Sequence, residues 1–104
     1  MKPITKSAWA LVHEKACDIV NASSNEDDVM TAVHTGHLME ILDDLVREDG
    51  PHAVFYDTRA DFLDDPNERR RLYRRALELA REQQNEEVAA EVIESMAQLQ
   101  NETE

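Results

Sequence analysis

The chain has 104 residues, of which 41% are hydrophobic and 33% charged, and its formal net charge is −12. A chain of this length typically forms one domain and leaves little volume for a deep substrate pocket. The strong negative charge disfavours nucleic acid as a direct partner, because it repels phosphate backbones. No apolar run approaches the ~20 residues of a membrane span and no signal-peptide pattern is visible, so we expect a cytoplasmic protein without a membrane partner.

The composition favours helices, with only two glycines, three prolines and many Glu, Arg, Ala and Leu residues. We predict an all-α fold of about five antiparallel helices, which together form a single domain over residues 1–104. The first helix is predicted from about Thr5 to Val20, with a loop over residues 21–25. The second is predicted to begin at Ser24, where a capping-box pattern starts, and to end at Asp49 before Gly50. Residues 1–50 would thus form an N-terminal helical pair.

The third helix is predicted over about Pro51 to Leu63, with apolar residues on two faces. Asp65 and Pro66 then give a strong start signal for the fourth helix, which is predicted to extend to Gln83. Asn85 can cap a fifth helix from about Glu86 to Gln100, and residues 101–104 are predicted to be a frayed tail. Connections this short make neighbouring helices antiparallel.

The C-terminal half resembles a tetratricopeptide repeat over roughly residues 52–100. The similarity is carried by Ala60-Asp61-Phe62-Leu63, by Asp65-Pro66-Asn67-Glu68 and by the run from Leu72 to Ala80, in which Tyr73 precedes Ala76-Leu77. The resemblance implies a helical-hairpin array that holds another protein. On this basis we expect a non-catalytic adaptor of bacterial type whose groove binds a partner protein, with five candidate contact residues: Tyr56, Arg59, Phe62, Arg70 and Tyr73.

The charge pattern supports an alternative hypothesis. Residues 26–65 contain twelve acids and two arginines, and this segment could form a negative wall that includes Asp43, Asp44, Asp57 and Asp61. Small inhibitor or immunity-type proteins use such walls to block basic, nucleic-acid-binding sites. The arginine-rich stretch around Arg69-Arg70-Arg71 is interpreted as surface ion pairing rather than as a phosphate site, because acidic segments flank it.

Catalytic and metal-binding patterns are weak. His34, His37, Glu40 and Asp44 share one side of the second helix and suggest a metal-dependent helical enzyme as a third hypothesis, but no facing helix supplies matching ligands. Cys17 stands beside Asp18 and is predicted to be a small buried filler rather than a reactive thiol. We therefore predict no metal, no cofactor and no catalytic residue. A helical layer with one open side often closes by dimerising, so a homodimer is a further expectation.

Overall fold

The computed structural model describes residues 3–103, and within that range it contains five α-helices and no strand. The helices are α1 (Lys6–Ser24), α2 (Asp28–Asp49), α3 (Ala53–Asp61), α4 (Pro66–Glu82) and α5 (Glu86–Thr103). Helix α1 packs against α2, α3 against α4, and α4 against α5. The predicted all-α helical-hairpin architecture is confirmed. The contacts cluster in two compact units, Met1–Gly50 (unit 1) and Pro51–Glu104 (unit 2).

Unit 1 is the α1–α2 hairpin, and side chains cap the start of both helices. The Thr5 hydroxyl accepts a hydrogen bond from the amide of Ala8 at 3.1 Å, and the Asp27 carboxylate accepts one from the amide of Met30 at 3.0 Å. Each cap satisfies an amide that the first helical turn leaves without a partner. The buried residues of this unit are all aliphatic: Val12, Ile19, Leu38, Leu42 and Leu45.

The turn between α1 and α2 differs from the prediction. Helix α1 continues through Ser24, and α2 begins at Asp28 with Asp27 as its cap, so the predicted loop at residues 21–25 and the predicted start at Ser24 are both wrong. The amide of Asp27 donates to the carbonyl of Ala22 at 2.9 Å, which closes the end of α1. Glu26 provides the left-handed residue of the turn, with φ of 57°. Glu26, Asp27 and Asp28 are consecutive acids, and acids are favourable throughout the first turn of a helix. The sequence pattern therefore could not determine at which residue α2 begins.

Unit 2 packs α4 between α3 and α5. Helix α3 is shorter than predicted, because residues 51–52 are extended and the chain leaves the helix after Asp61. The Gln83 side chain holds its start: its Oε1 accepts from the amide of Ala53 at 3.4 Å and its Nε2 donates to the carbonyl of Pro51 at 3.1 Å. The predicted start of α4 is confirmed, with Asp65 as its cap and Pro66 in its first turn.

The core of unit 2 consists of two clusters of buried side chains. The larger one contains Ala60, Tyr73, Ala76, Val92 and Leu99, and the smaller one contains Ala53, Leu79 and Ala80. Asn85 caps α5, as predicted, by accepting from the amide of Val88 at 3.2 Å. Helix α5 extends to Thr103, three residues beyond the predicted end, so residues 101–103 are helical rather than part of a tail; Glu104 lies outside the described residues.

Candidate functional site: a groove between α4 and α5

Two of the predicted contact residues have structural positions that change their interpretation. Tyr73 is only 1% exposed and belongs to the larger core cluster, so the prediction that it contacts a partner is wrong. Tyr56 is half-buried and packs against both core clusters. A ring as fully buried as that of Tyr73 cannot also contact another protein, whereas the half-buried Tyr56 stays partly accessible. Tyr73 shares the inward face of α4 with Ala76 and Ala80, which are also buried.

The remaining predicted contact residues are partly accessible. Arg59 and Phe62 are half-buried near the end of α3, where Phe62 is the residue at which the helix ends. Arg70 is half-buried on α4, where its guanidinium donates to Asn67 Oδ1 at 3.1 Å and to Thr103 Oγ1 at 2.8 Å. Of the five predicted residues, Arg70 is the one that lines a groove formed by α4 and α5.

A polar network links residues that were predicted to lie on separate surfaces. The Tyr73 hydroxyl donates to Asp61 Oδ1 at 2.6 Å, and Arg69 donates to that hydroxyl at 3.3 Å and to the carbonyl of Ala60 at 3.0 Å. A phenol–carboxylate bond of this length is charge-assisted. Burial, together with the hydrogen bond to Asp61, raises the pKa of Tyr73 to about 12, so the phenol stays protonated and acts as a donor. The network ties the end of α3 to α4.

Asp61 therefore serves the fold, although its residue surface is exposed. Desolvation raises the pKa of its carboxyl, while the Tyr73 hydrogen bond and the nearby charge of Arg69 act in the opposite direction. The Arg69 guanidinium also lies 5.9 Å from the centre of the Tyr73 ring and 3.8 Å from Glu102 Oε2. Such an environment favours a fixed structural carboxylate over one that a partner must reach.

Asp57 departs furthest from the predicted acidic wall, because it is only 7% exposed. Its Oδ1 atom is buried and has no hydrogen-bond partner within the described part of the chain. Burial raises the pKa of Asp57 to about 7, and the charges of Asp61 and Glu91 add to the effect. The prediction that Asp57 is a surface acid is therefore wrong.

Asp43 and Asp44 are exposed on α2, as a surface role requires, and Asp44 forms an ion pair with Arg47. Of the four acids chosen for the negative wall, one is thus buried, one is bound to Tyr73 and one is paired with an arginine. The structure brings Asp57 and Asp61 close enough to repel each other within unit 2.

An accessible groove of about 630 Å³ lies between the last two helices of unit 2. Helix α4 contributes Arg70, Arg74 and Leu77, and α5 contributes Ile93 and Met96. A second depression of about 500 Å³ lies further along the same two helices, near their turn, and includes Arg81 and Ala89. We call the two together the α4–α5 groove.

The two walls of the α4–α5 groove differ in chemistry. Positions 70, 74, 77 and 81 recur at the spacing of one face of a helix, so α4 presents a ridge of three arginines and one leucine. Positions 89, 93 and 97 do the same on α5 and present an apolar ridge of small residues around Ile93. The Ile93 side chain is 51% exposed, although its neighbour Val92 and Leu99 on the same helix are buried. One wall is therefore basic and the other mainly apolar, with Glu86 adding a carboxylate near the turn.

The groove arginines stand out in a chain with 23 acids and 11 bases. Outside the groove, Arg47, Arg69 and Arg75 pair with carboxylates, while Arg71 has no partner among residues 3–103. Arg70 bonds only uncharged groups, and over residues 3–103 neither Arg74 nor Arg81 has a hydrogen bond or an ion pair. Three cations along one groove are thus available to carboxylates from outside the chain. The helical spacing of these arginines can be recognised in the sequence, but the net charge of a whole segment does not reveal it.

The histidine and cysteine candidates do not form a site. The rings of His34 and His37 are 6.4 Å apart at their centres, and Lys15 Nζ lies 3.4 Å from His34 Nδ1. Within residues 3–103 no group of three His, Cys, Asp or Glu side chains is arranged to hold a metal ion. Cys17 is exposed, so the prediction that it fills the core is wrong. Its neighbour Ala16 faces the core side instead, one helical position away.

Comparison with known proteins supplies no further assignment: no family model, no curated protein and no solved structure matches the chain. None of the helices in residues 3–103 combines the length and the apolar character needed to cross a membrane. The candidate site accordingly follows from the geometry of unit 2 alone.

Proposed function

We propose that the protein is a non-catalytic interaction module that binds a helical segment of a partner protein in the α4–α5 groove. The observation that carries the proposal is the pairing of an exposed apolar ridge, centred on Ile93, with a ridge of arginines that lack carboxylate partners in the described chain. Apolar anchors supply affinity at protein interfaces, and charged groups beside them select the partner and its register.

The groove has the dimensions of a short helix. Arg70 and Arg81 are eleven positions apart on α4, which corresponds to about 16 Å at a rise of 1.5 Å per residue. An amphipathic helix of about three turns would place apolar residues against α5 and acidic residues against α4. Recognition of a helix in a groove through anchors at i, i+3, i+4 and i+7 is a common mode of peptide binding. This mode also fits the helical-hairpin resemblance of the C-terminal half.

The proposal is tested by selecting binders from a display library of random helical peptides. We expect the enriched peptides to combine an apolar stripe with Asp or Glu residues and to bind with micromolar dissociation constants, about −8 kcal/mol. Ile93→Asp should weaken each binding constant at least tenfold, which is about 1.4 kcal/mol, and Arg74→Glu should do so for the acidic peptides. Leu11→Asp is the matched control, because Leu11 is also exposed but lies on α1.

Enrichment that survives Ile93→Asp would overturn the proposed groove. Enrichment of basic rather than acidic peptides, lost on neutralising Asp43 and Asp44, would instead support the acidic-inhibitor hypothesis. Binding should be repeated across salt, since the screening length falls from about 10 Å at 0.1 M to about 3 Å at 1 M. A groove binder with an apolar anchor should keep most of its affinity over that range.

A further inference from the structure

Unit 1 carries a second unpartnered apolar surface, on the side of α2 that faces away from its buried leucines. Val29 is 73% exposed and Val33 is 41% exposed. Both lie about half a turn around the helix from the buried Leu38, at 100° per residue. Gly36 and Glu40 continue the same line at helical spacing, and both are exposed. We call these four residues, Val29, Val33, Gly36 and Glu40, the outer α2 face.

Gly36 is unexplained by the packing of the chain itself. A glycine inside a helix costs about 1 kcal/mol relative to alanine. A Cβ atom built on Gly36 would meet no atom within 4 Å, so no neighbour in the chain requires the glycine. Glycine on an exposed helix face permits another helix to approach the backbone closely. Gly36 and the two exposed valines therefore point to the same external contact.

The outer α2 face is complementary to the α4–α5 groove in length and in charge. Its apolar part, Val29 to Gly36, extends about 10 Å along the helix, and the apolar ridge from Ala89 to Ala97 extends about 12 Å. Glu40 supplies a carboxylate at one end of this face, whereas Asp28 precedes Val29 but lies about 100° around the helix from it. The single carboxylate suits a groove whose α4 wall carries arginines.

We propose that the outer α2 face of one chain occupies the α4–α5 groove of a second copy, so that chains associate head to tail. This inference rests on the proposed function, because it names the partner of the same groove. The two surfaces differ, which makes the contact heterologous: each bound copy leaves one groove and one outer α2 face open, and association continues until a ring closes or a filament forms.

Salt screening weakens the long-range repulsion between two copies of this acidic chain. Two chains of net charge −12 repel each other, but at physiological ionic strength the screening length is about 8 Å. An ion pair between Glu40 and a groove arginine lies well within that length. Contact through these surfaces therefore replaces repulsion with local complementarity.

The test is sedimentation of the full chain at about 0.15 M salt, over concentrations from roughly 1 µM to 1 mM. The average mass should rise with concentration and pass that of a dimer. Val33→Asp removes the outer α2 face and Ile93→Asp removes the groove, and each variant alone should remain monomeric. Mixed in equal amounts the two should form a dimer, since each supplies the surface that the other lacks. Leu11→Asp, the matched control, should associate like the original chain.

Each alternative gives a different result. A monomeric original chain at the highest concentration overturns the inference, and peptide binding in the groove would still test the proposed function separately. Association of Val33→Asp that is lost in Ile93→Asp indicates a symmetric contact through α5 and overturns the head-to-tail arrangement. The absence of a dimer in the mixture does the same. Circular dichroism and thermal melting of each variant must match those of the original chain, so that a loss of association reports the contact rather than the fold.

Discussion

The two units bury their side chains in different ways. The buried residues of unit 1 are all aliphatic, whereas unit 2 buries a tyrosine, which bonds Asp61 and Arg69, and the carboxyl group of Asp57. The exposed large apolar side chains of residues 3–103 are distributed in the opposite sense: five lie in unit 1, and Ile93 lies in unit 2. Unit 2 therefore contains polar constraints that fix the positions of its helices, while unit 1 keeps apolar surface that its own hairpin does not cover. The same type of side chain can therefore have a structural role in one unit and remain at the surface in the other.

The largest test of this contrast is truncation of the tyrosine in the unit 2 core. Tyr73→Ala should lower the free energy of unfolding by about 3–5 kcal/mol, because it removes a fully buried ring from the larger cluster. Tyr73→Phe keeps the ring and removes the hydroxyl, so it should cost about 1.5–3 kcal/mol, the usual contribution of a hydrogen bond to a charged group. Urea denaturation measures both. Equal losses would mean that the hydrogen-bond network, rather than the ring, carries the stability.

The buried carboxyl group gives a pH-dependent test. The pKa of Asp57 is raised from 3.8 to about 7 in the folded protein, so between these values the folded state binds more protons than the unfolded state. Its contribution to stability is therefore favourable at low pH and is lost as the pH rises towards 7. Asp57→Asn should stabilise the protein at about pH 8 by roughly 1–3 kcal/mol and by less at about pH 5. Asp64→Asn is the matched control, because Asp64 is an exposed aspartate in the turn before α4.

If Asp57→Asn has the same effect at both pH values, the carboxyl does not titrate in this interval. If the variant is less stable at pH 8, the ionised carboxylate must have a favourable partner in solution. Either outcome would remove the main polar difference between the cores of the two units.

The helix caps provide a smaller and more even comparison, because both units use aspartate. Asp65 Oδ1 accepts from the amide of Asn67 at 3.3 Å, and Asp27 Oδ1 accepts from the amide of Met30 at 3.0 Å. Asp65→Ala and Asp27→Ala should each cost about 0.5–2 kcal/mol, measured by chemical denaturation. Asp64→Ala and Ser24→Ala should cost clearly less. A large loss at Ser24 would restore the capping pattern expected from the sequence.

The sequence alone predicted the parts of the fold that local chemistry determines. The starts of α4 and α5 follow from Asp65, Pro66 and Asn85, and all three perform the predicted roles. The turn after α1 was mispredicted because polar residues there can either continue a helix or cap the next one. Glu26 and Gln84 adopt left-handed backbone angles without being glycine, and no sequence signal marks them.

The candidate site could be predicted only in part. Helical spacing places Arg70, Arg74 and Arg81 on one face of α4, so the basic ridge could have been found from the sequence. The state of Asp57 and Asp61 could not, because it depends on which neighbours surround each carboxyl in the folded chain. The exposure of Ile93 likewise depends on where α5 packs on α4, which a periodic pattern does not specify.

The smallest expected effect on the fold concerns Gly36, and it separates stability from association. Gly36→Ala places a methyl group in open space, so the isolated chain should become more stable by up to about 1 kcal/mol, seen as a higher melting temperature at low concentration. The same methyl group should hinder a close approach to the outer α2 face, so association should become weaker when measured by sedimentation. Ala10→Gly is a useful counterpart, since Ala10 is also exposed within a helix but lies on α1. It should destabilise the helix by a similar amount and leave association unchanged. A gain in stability together with a loss of association at position 36 would identify the glycine as part of an interface. A residue that serves only the monomer would change the melting temperature and leave association unchanged.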